Sequence, residues 1–287
     1  MGPILAVDVG GTKLAVGRVD LDGRLLARAS APTPAMTDAD ELFAVLARLV
    51  DEVRQGEEQV CGVGCGGPMR SGGELVSPLN IPAWRDFPLR DRLSGHLGLP
   101  VAVDNDAKAL ALGEGWRGAA QGVNDYLAMV VSTGVGGGIV LDGRLLDGED
   151  GNAGHIGHLI VEPDGRLCAC GAQGCLEAEA SGTAIALRTG RPAAEAPEAE
   201  RVRAGMLVGR AVASVANLLD LRLATVAGSV ALGFGVPFFD AAQAEVDRSA
   251  RLAFSAGTRV VPAGLGGEGP LVGAAAVGLR AIGHPLR

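Results

Sequence analysis

The chain has 287 residues, of which 48% are apolar, enough to fill one large or two medium-sized hydrophobic cores. Its formal net charge of −8 argues against a nucleic-acid-binding protein that relies on a generally basic surface. No apolar run reaches the ~20 residues of a membrane helix, and the short run at Ile4–Val9 lacks the basic flank of a signal peptide. We therefore expect no membrane and no nucleic acid among its partners, and reduced cysteines that are arranged as a metal site fit a cytoplasmic protein.

The N-terminal segment predicts strands joined by a glycine turn and an Asp-Gly hairpin. In chain order these are a buried strand at Ile4–Val9, a turn at Gly10-Gly11-Thr12-Lys13, a strand at Leu14–Val19, a turn at Asp22-Gly23 and a strand at Arg24–Ala29. Glycine lets backbone N–H groups point at a phosphate, and the carboxylate of Asp8 suits a hydrated Mg²⁺. A plain hairpin turn that binds nothing is the alternative. Lys13 either steadies a phosphate or is an ordinary lysine at a strand end.

The rest of the first half alternates helices and strands. It predicts a helix capped by Thr37-Asp38 and ending near Gly56, a strand at Val60–Gly64, loops at Gly64–Pro68 and Asn80–Trp84, a helix at Pro88–Leu97, a strand at Leu99–Val103 and a helix from Ala107 to about Trp116. Asp106 follows the last of these strands, where a carboxylate faces the crevice of an α/β sheet. It is a candidate general base for phosphoryl transfer, and a helix N-cap is an equal alternative on position alone. Asp104 is interpreted as a cap or a surface charge.

The second half begins by repeating the pattern of the first. It predicts a strand at Tyr126–Val131, a glycine turn at Ser132–Gly137 and a strand at Gly138–Leu141. Asp142-Gly143-Arg144-Leu145-Leu146 then matches Asp22-Gly23-Arg24-Leu25-Leu26 residue for residue. Such a duplication predicts two similar α/β domains, and two glycine turns at equivalent places favour phosphate binding more than one turn does. Neither turn fits the Walker A pattern or the Rossmann fingerprint.

The stretch Gly154–Glu177 predicts a metal site. His158, Cys168, Cys170 and Cys175 offer the imidazole nitrogen and thiolate sulfur that tetrahedral zinc prefers. Four protein ligands close such a site, so its role is expected to be structural rather than catalytic. Reduced, half-buried thiols are the alternative, which a Cys-x-Cys pair followed so soon by a third cysteine disfavours.

The remaining chain predicts further α/β structure. It contains a flexible connection at Gly190–Glu200, a helix at Val202–Leu219, a strand at Leu223–Val226 that ends at Ala227-Gly228-Ser229, a helix near Phe238–Leu252, a strand at Arg259–Val261, a glycine loop at Gly264–Gly269 and a last helix at about Leu271–Ala281. Cys61 and Cys65 flank a strand end and are expected to be buried thiols rather than metal ligands.

At this point the residues resemble a known family, the ROK sugar kinases, named for repressors, open reading frames and kinases. The matching pieces are Asp8–Lys13, Asn105-Asp106, Ser132–Ile139, Gly157-His158 and the array of Cys168, Cys170, Cys175 and Glu177, in the order and spacing of the family. The resemblance implies an actin-like, ribonuclease-H-like ATPase fold of two lobes. The smaller lobe would span residues 1–107 with the C-terminal helix at about 271–287, and the larger lobe residues 108–270 with the zinc loop 154–177.

The resemblance also implies an activity, cofactors and site residues. The reaction would transfer the γ-phosphoryl group of ATP to a sugar hydroxyl, usually O6 of a hexose, with Mg²⁺ as cofactor and Asp106 as base. The residues implied to contact the sugar are Gly67, Asn80, Asn105, Asp106, His155, His158 and Glu177. Those implied to hold phosphates and Mg²⁺ are Asp8, Gly10, Gly11, Thr12, Thr133 and Gly134, with Lys13 as a possible addition, and Gly228 and Ser229 would hold adenosine. Family members commonly form dimers, and some form tetramers, so a homo-oligomer is expected.

One departure from the family leaves the sugar open. His155 stands where the family usually has glutamate, as it does in the N-acetylmannosamine kinases that this sequence resembles there. The loop Asn80–Leu89, by contrast, looks like that of the glucokinases. A glutamate accepts two hydrogen bonds from adjacent hydroxyls, whereas a neutral histidine offers one donor and one acceptor.

Three other interpretations concern the kind of protein and its phosphoryl donor. A sugar-responsive repressor is disfavoured, because Asp8 lies too near the first residue for a preceding DNA-binding domain. A sugar-binding regulatory protein with weak catalysis is the alternative that His155 leaves open. Polyphosphate instead of ATP as the phosphoryl donor is undecided by the sequence.

Overall fold

The computed structural model describes residues 2–286, so Met1 and Arg287, which the predicted first lobe includes, lie outside the described residues. The strands are β1 (Ile4–Val9), β2 (Lys13–Val19), β3 (Leu25–Pro32), β4 (Cys61–Cys65), β5 (Val101–Asn105), β6 (Tyr126–Val131), β7 (Val135–Leu141), β8 (Arg144–Leu145), β9 (Leu223–Ala227) and β10 (Arg259–Pro262). The helices are α1 (Ala39–Val53), α2 (Leu89–Leu97), α3 (Asp106–Arg117), α4 (Leu176–Ala180), α5 (Gly182–Thr189), α6 (Glu198–Leu219), α7 (Ser229–Phe234), α8 (Val236–Ser249) and α9 (Gly269–Ala281).

The chain forms two compact units. Unit 1 contains the residues up to Gly122, the segment Asp147–Ala153 and the residues from Leu265 onward. Unit 2 contains Val123–Leu146 and Gly154–Gly264. Because α3 packs against α9, unit 1 extends past the boundary that the sequence predicts at residue 107. The division into functional lobes stays a prediction.

The sheet of unit 1 sets the carboxyl ends of three strands side by side. Its order is β3-β2-β1-β4-β5, in which β1, β2 and β3 are antiparallel and β4 and β5 run parallel to β1. Val63 packs in a core cluster with residues of α1, whereas an added Cβ on the adjacent Gly62 would lie 1.9 Å from the carbonyl oxygen of Ala274 in α9. Neighbouring strand residues face opposite sides of a sheet, so helices cover both faces of this one.

Helix α1 begins where the sequence predicts. The side chain of Asp38 accepts hydrogen bonds from the backbone N–H groups of Asp40 and Glu41, which satisfies donors that have no partner within the helix. Leu42 and Leu46 are fully buried on the face that the apolar spacing predicts. This end of the chain therefore follows local sequence rules closely.

Unit 2 repeats the topology of unit 1. Its sheet has the order β10-β9-β6-β7-β8, in which β6, β7 and β8 are antiparallel and β9 and β10 run parallel to β6. The strand, glycine turn, strand and Asp-Gly hairpin that begin each half of the sequence therefore occupy equivalent places in the two sheets. The internal match seen in the sequence marks a repeated structural unit.

Helix α6 is the core helix of unit 2. By length and composition it is apolar enough to cross a membrane, although charged residues interrupt its apolar sequence. Its buried side chains, among them Leu207, Val208 and Val212, belong to the hydrophobic core of this unit. The helix begins at Glu198, so the predicted flexible connection at residues 190–200 is shorter than expected and includes a 3₁₀ turn at Ala193–Glu195.

Candidate functional site

Asp8 and Asp106 approach each other at one edge of the unit 1 sheet. Asp8 lies on β1, beside Gly64 of β4, and Asp106 follows β5 as the first residue of α3. The pKa of Asp8 is raised to about 7, first by burial and then by the charge of Asp106, with the charge of Lys13 opposing the rise. A cation beside the two carboxylates would offset the repulsion that Asp106 exerts on Asp8, so their arrangement suits cation binding.

The glycine turn beside Asp8 closes on itself. The backbone N–H of Gly10 donates to the carbonyl oxygen of Lys13 over 3.0 Å, and the Thr33 hydroxyl donates to the carbonyl oxygen of Gly10 over 2.6 Å. An added Cβ on Gly11 would lie 2.4 Å from Cβ of Asn80, so the turn and the Asn80 loop are in close contact. Gly10, Gly11, Thr12 and Asn80 are thus brought together in unit 1.

At the start of α3, Asp106 is not the N-cap, so that interpretation of the sequence is wrong, and its role as general base stays a prediction. Asn105 is the N-cap, because its side-chain oxygen accepts from the N–H of Ala107 over 3.0 Å, and Asp106 is the first helical residue. The predicted strand at residues 99–103 lies at residues 101–105 instead. An added Cβ on Gly67 would lie 3.6 Å from Nδ2 of Asn105, so the Gly67 loop borders this amide. The unit 1 residues predicted to contact sugar therefore cluster near Asp106.

Asp104 is neither a cap nor a free surface charge, contrary to both interpretations of the sequence. Its side chain accepts from the backbone N–H of Asn105 over 2.8 Å. It also forms ion pairs with Lys108 at 3.1 Å and with Arg280 at 3.5 Å. Lys108 lies only four residues along the chain, on the first turn of α3, whereas Arg280 comes from α9 and could not be indicated by a local sequence pattern.

The loop after Asn80 is held rigid by its own residues. The guanidinium of Arg85 donates to the backbone carbonyl oxygens of Pro78, Ile81 and Trp84 over 2.9, 2.9 and 2.7 Å. The Trp84 ring stacks on Phe87 with centroids 4.5 Å apart, as expected for a packing residue.

The second glycine turn lines a pocket within unit 2. The pocket has a volume of about 310 Å³, and the residues around it are Ser132, Thr133, Gly182, Thr183, Ala186, Ala193, Ser229 and Val230. The hydroxyl oxygens of Ser132 and Ser229 lie 2.9 Å apart, and the Thr183 hydroxyl donates to the carbonyl oxygen of Thr133 over 3.0 Å. The structure therefore brings Thr133 and Ser229 to one pocket.

Gly228 is required by the backbone at this pocket. Its φ is 100°, and an added Cβ would lie 2.2 Å from the carbonyl oxygen of Val131. Gly182 and Thr183 were not predicted as site residues. The available signal was Ser181-Gly182-Thr183, a helix start made of small hydroxyl residues, in which Ser181 caps α5 by accepting from the N–H of Ala184.

Glu177 is fixed beneath the second glycine turn. Its Oε2 accepts from the backbone N–H of Val135 over 2.9 Å, and an added Cβ on Gly134 would lie 2.8 Å from that oxygen. Gly157 approaches the same strand, since its added Cβ would lie 2.3 Å from the carbonyl oxygen of Val135. The rings of His155 and His158 are 6.1 Å apart and inclined by 21°. These predicted sugar-contacting residues of unit 2 thus form one group.

The predicted metal ligands also come together. The donor atoms of His158, Cys168, Cys170 and Cys175 lie within 4.8 Å of one another. Nδ1 of His158 is 3.8 Å from Sγ of Cys168, and Sγ of Cys170 is 3.7 Å from Sγ of Cys175. Zinc–sulfur bonds of ~2.3 Å in a tetrahedron place the donor atoms roughly 3.8 Å apart. This donor set therefore fits zinc.

A buried carboxylate supports the metal loop. Oε1 of Glu179 accepts from the backbone N–H of Arg166 over 2.6 Å, and Oε2 pairs with Arg203 at 2.6 Å. Burial alone would raise the pKa of Glu179, but these hydrogen bonds and the charges of Arg203 and Arg188 hold it below its ordinary value. Glu179 ties the loop to α6, on which Arg203 lies.

Comparisons with known proteins match this chain to one family. A profile described as the ROK family matches residues 4–280. The N-acetylmannosamine kinase of Citrobacter koseri is 40% identical over 247 residues, which cover 80% of this chain and 84% of that protein. The glucokinase of Thermotoga maritima is 41% identical over 184 residues, which cover 63% of this chain and 58% of that protein.

A solved structure shows the same fold. The ROK family glucokinase from Streptomyces griseus, in complex with glucose and AMPPNP, matches with a TM-score of 0.82 and 31% identity. The match covers 97% of this chain and 100% of that chain. The predicted actin-like α/β fold of two similar halves is thereby confirmed.

Proposed function

Because the chain belongs to the ROK family, we propose that it is an ATP-dependent sugar kinase that phosphorylates O6 of a hexose or N-acetylhexosamine. The observation that carries the proposal is the meeting of Asp8 and Asp106 beside the first glycine turn. Glucose and N-acetylmannosamine are the leading substrates, since relatives named for each are about equally similar to this chain.

In this proposal Asp106 is the general base. It accepts the proton of the sugar O6 hydroxyl as that oxygen attacks the γ-phosphorus and the bond to the ADP oxygen breaks. Asp8 would hold a Mg²⁺ ion, which when bound would neutralise charge on the phosphates. Backbone N–H groups of the turns that contain Gly10, Gly11 and Thr12 and, in unit 2, Thr133 and Gly134 bind phosphate oxygens, with Lys13 adding charge.

The residues proposed to bind the sugar and the adenosine are assigned unit by unit. Gly67, Asn80 and Asn105 border the sugar in unit 1. Because the side-chain oxygen of Asn105 accepts from the N–H of Ala107, its Nδ2 is the donor that can contact the sugar. His155, His158 and Glu177 are the sugar residues of unit 2. The pocket lined by Ser132 and Ser229, next to Gly228, takes the adenosine.

The Cys168, Cys170, Cys175 and His158 cluster is proposed to bind a structural Zn²⁺. With Nδ1 of His158 directed at the cluster, its Nε2 is the ring nitrogen that remains for a sugar hydroxyl. The metal would thus fix the tautomer and the plane of a substrate-binding ring. We further propose that the protein is cytoplasmic and a homo-oligomer, as a dimer or tetramer.

A panel of sugars tests this function. ADP release, coupled to a chromogenic assay, is measured with glucose, mannose, N-acetylmannosamine, N-acetylglucosamine and allose. The kinase predicts saturable, sugar-dependent turnover with at least one of them. Sugar binding by calorimetry without turnover on any sugar, with ATP or with polyphosphate, would instead support the weakly catalytic regulatory protein that His155 leaves open.

A further inference from the structure

Lys108 is a buried cation on the first turn of α3, and all of its donors have partners. The residue is only 3% exposed. Its Nζ lies 2.7 Å from Oδ1 of Asp147, 3.1 Å from Oδ1 of Asp104 and 3.1 Å from the carbonyl oxygen of Gly151. An ammonium group has three N–H donors, so three oxygens satisfy it completely. A buried charge is tolerated only with such pairing, which makes the arrangement geometrically demanding.

Two of these three partners belong to one short segment, the strap (Asp147–Ala153). The strap packs with unit 1, although the residues on both sides of it in the chain belong to unit 2. A hydrogen bond of 2.9 Å from the N–H of Ala153 to the carbonyl oxygen of Asp147 closes the strap on itself. The strap contains no α-helix or strand, so side-chain contacts have to supply its anchoring.

Arg280 contacts the same carboxylates from the solvent side. Its guanidinium lies 2.6 Å from Asp147 and 3.5 Å from Asp104, and its side chain is 39% exposed. The hydrogen bonds and charges of Arg280 and Lys108 together hold the pKa of Asp147 below its ordinary value, against the effect of burial. An exposed pair of this kind contributes less than the enclosed one, so Lys108 is the principal anchor.

The two groups that Lys108 contacts, Asp104 and the strap, each lie close to a residue of the proposed sugar site in the chain. The carboxylate of Asp104 accepts a hydrogen bond from the backbone N–H of Asn105, the residue immediately before Asp106. At the end of the strap, Ala153 is followed along the chain by Gly154 and then by His155. One ammonium group therefore contacts both Asp104, which accepts from the backbone N–H of Asn105, and the strap, which immediately precedes Gly154 and His155 in the chain.

We propose that Lys108 is a positioning residue: by anchoring the strap to the start of α3, it sets the affinity for the sugar without touching it. This inference rests on the proposed kinase function for its substrate. The glycine turns and the Ser132–Ser229 pocket make no contact with Lys108 among the described residues, so nucleotide affinity is independent of it.

The test compares Lys108→Met with Asp147→Asn, which removes the partner charge at a half-exposed position and spares the core. Both variants are expected to raise the sugar KM about tenfold or more and to leave the KM for ATP within about twofold. Hydrogen exchange at residues 147–153 should accelerate in both variants. The matched control is Arg280→Met, for which the sugar KM should change less than about threefold.

Several results would overturn the proposal. One is an unchanged sugar KM in either variant with a native circular dichroism spectrum. Another is an equal rise in the KM values for sugar and ATP. A third is a rise in the sugar KM of Arg280→Met as large as that of Lys108→Met. If the wild-type protein turns over no sugar, the kinase proposal fails by itself. Calorimetric sugar affinity and exchange of the strap then decide the role of Lys108 separately.

Discussion

The ionisation of Asp8 decides when the proposed Mg²⁺ site is available. Its pKa of about 7 arises first from burial, then from the nearby charge of Asp106. A proton on Asp8 competes with the cation, so affinity for ATP with Mg²⁺ should rise as pH rises through 7. We expect binding by calorimetry to strengthen about tenfold between pH 6 and pH 8. Asp8→Asn serves as the control for titration of the nucleotide itself and should lose this part of the dependence.

The raised pKa of Asp8 also determines whether its contribution to folding stability rises or falls with pH. The folded chain holds a proton on Asp8 up to about pH 7, whereas the unfolded chain releases it near the ordinary value of 3.8. Between these values unfolding releases a proton, so the contribution of Asp8 to the stability of the ligand-free protein falls as pH rises. Asp8→Asn should flatten this part of the pH profile of thermal unfolding. Equal pH profiles for the two proteins would show that Asp8 ionises normally.

His155 is expected to govern the choice of sugar. A glutamate at this position could accept hydrogen bonds from two adjacent hydroxyls, which a neutral imidazole cannot do. His155→Glu should therefore shift the ratio of kcat/KM for glucose over N-acetylmannosamine upward by about tenfold or more. His155→Gln keeps an acceptor without the charge and should shift it less. An unchanged ratio in both variants would remove His155 from the specificity determinants.

At the scale of elements, Glu179 should stabilise unit 2 through the metal loop. Replacing it by glutamine leaves Arg203 facing an uncharged amide in a buried place, and we expect Glu179→Gln to cost about 2–3 kcal/mol of unfolding free energy. The matched control is Glu162→Gln, which loses only a half-exposed pair with Arg210 at 3.5 Å. That control should cost less than about 1 kcal/mol. Similar chemical denaturation midpoints for the two variants would refute this account of the loop.

Removal of the proposed zinc should weaken the binding of sugar but not that of ATP. A strong chelator is expected to lower the melting temperature and weaken sugar binding, because His158 and the loop that carries Glu177 lose their support. ATP binding should change little, since no described residue of the Ser132–Ser229 pocket belongs to the metal cluster. Calorimetry of both ligands before and after chelation, with zinc added back, measures this. An unaltered sugar affinity in metal-free protein would contradict the supporting role of the metal.

Local patterns predicted the elements well where their causes are local. The Asp-Gly turns, the apolar strands and the Asp38 cap each depend on neighbouring residues, and each was found where the sequence indicates. The prediction for Asp104 was wrong because it pairs across the end of β5 with Lys108, four residues away on α3, and with the distant Arg280 on α9. Asn105 rather than Asp106 caps α3, a choice between two good capping residues that adjacent positions alone do not settle.

At the scale of the whole molecule, duplication is the organising feature. Two sheets of one topology each end a strand in a glycine turn, and each unit adds its own polar group near that turn: Asp106 in unit 1 and Glu177 in unit 2. The repeat was readable from the Asp-Gly-Arg-Leu-Leu match. The extent of unit 1 could not be predicted from the sequence, because the strap joins this unit through contacts with Lys108, which is distant from it in the chain.

The most direct test of the central claim is product formation by the wild-type protein and by Asp106→Asn, followed by mass spectrometry of the sugar phosphate. The wild-type protein should convert its best sugar to the monophosphate in the presence of ATP and Mg²⁺. Asp106→Asn should bind both substrates with nearly native affinity while forming product about 10²–10⁴-fold more slowly, as expected for loss of a general base. Product formation at the wild-type rate by Asp106→Asn would contradict the account.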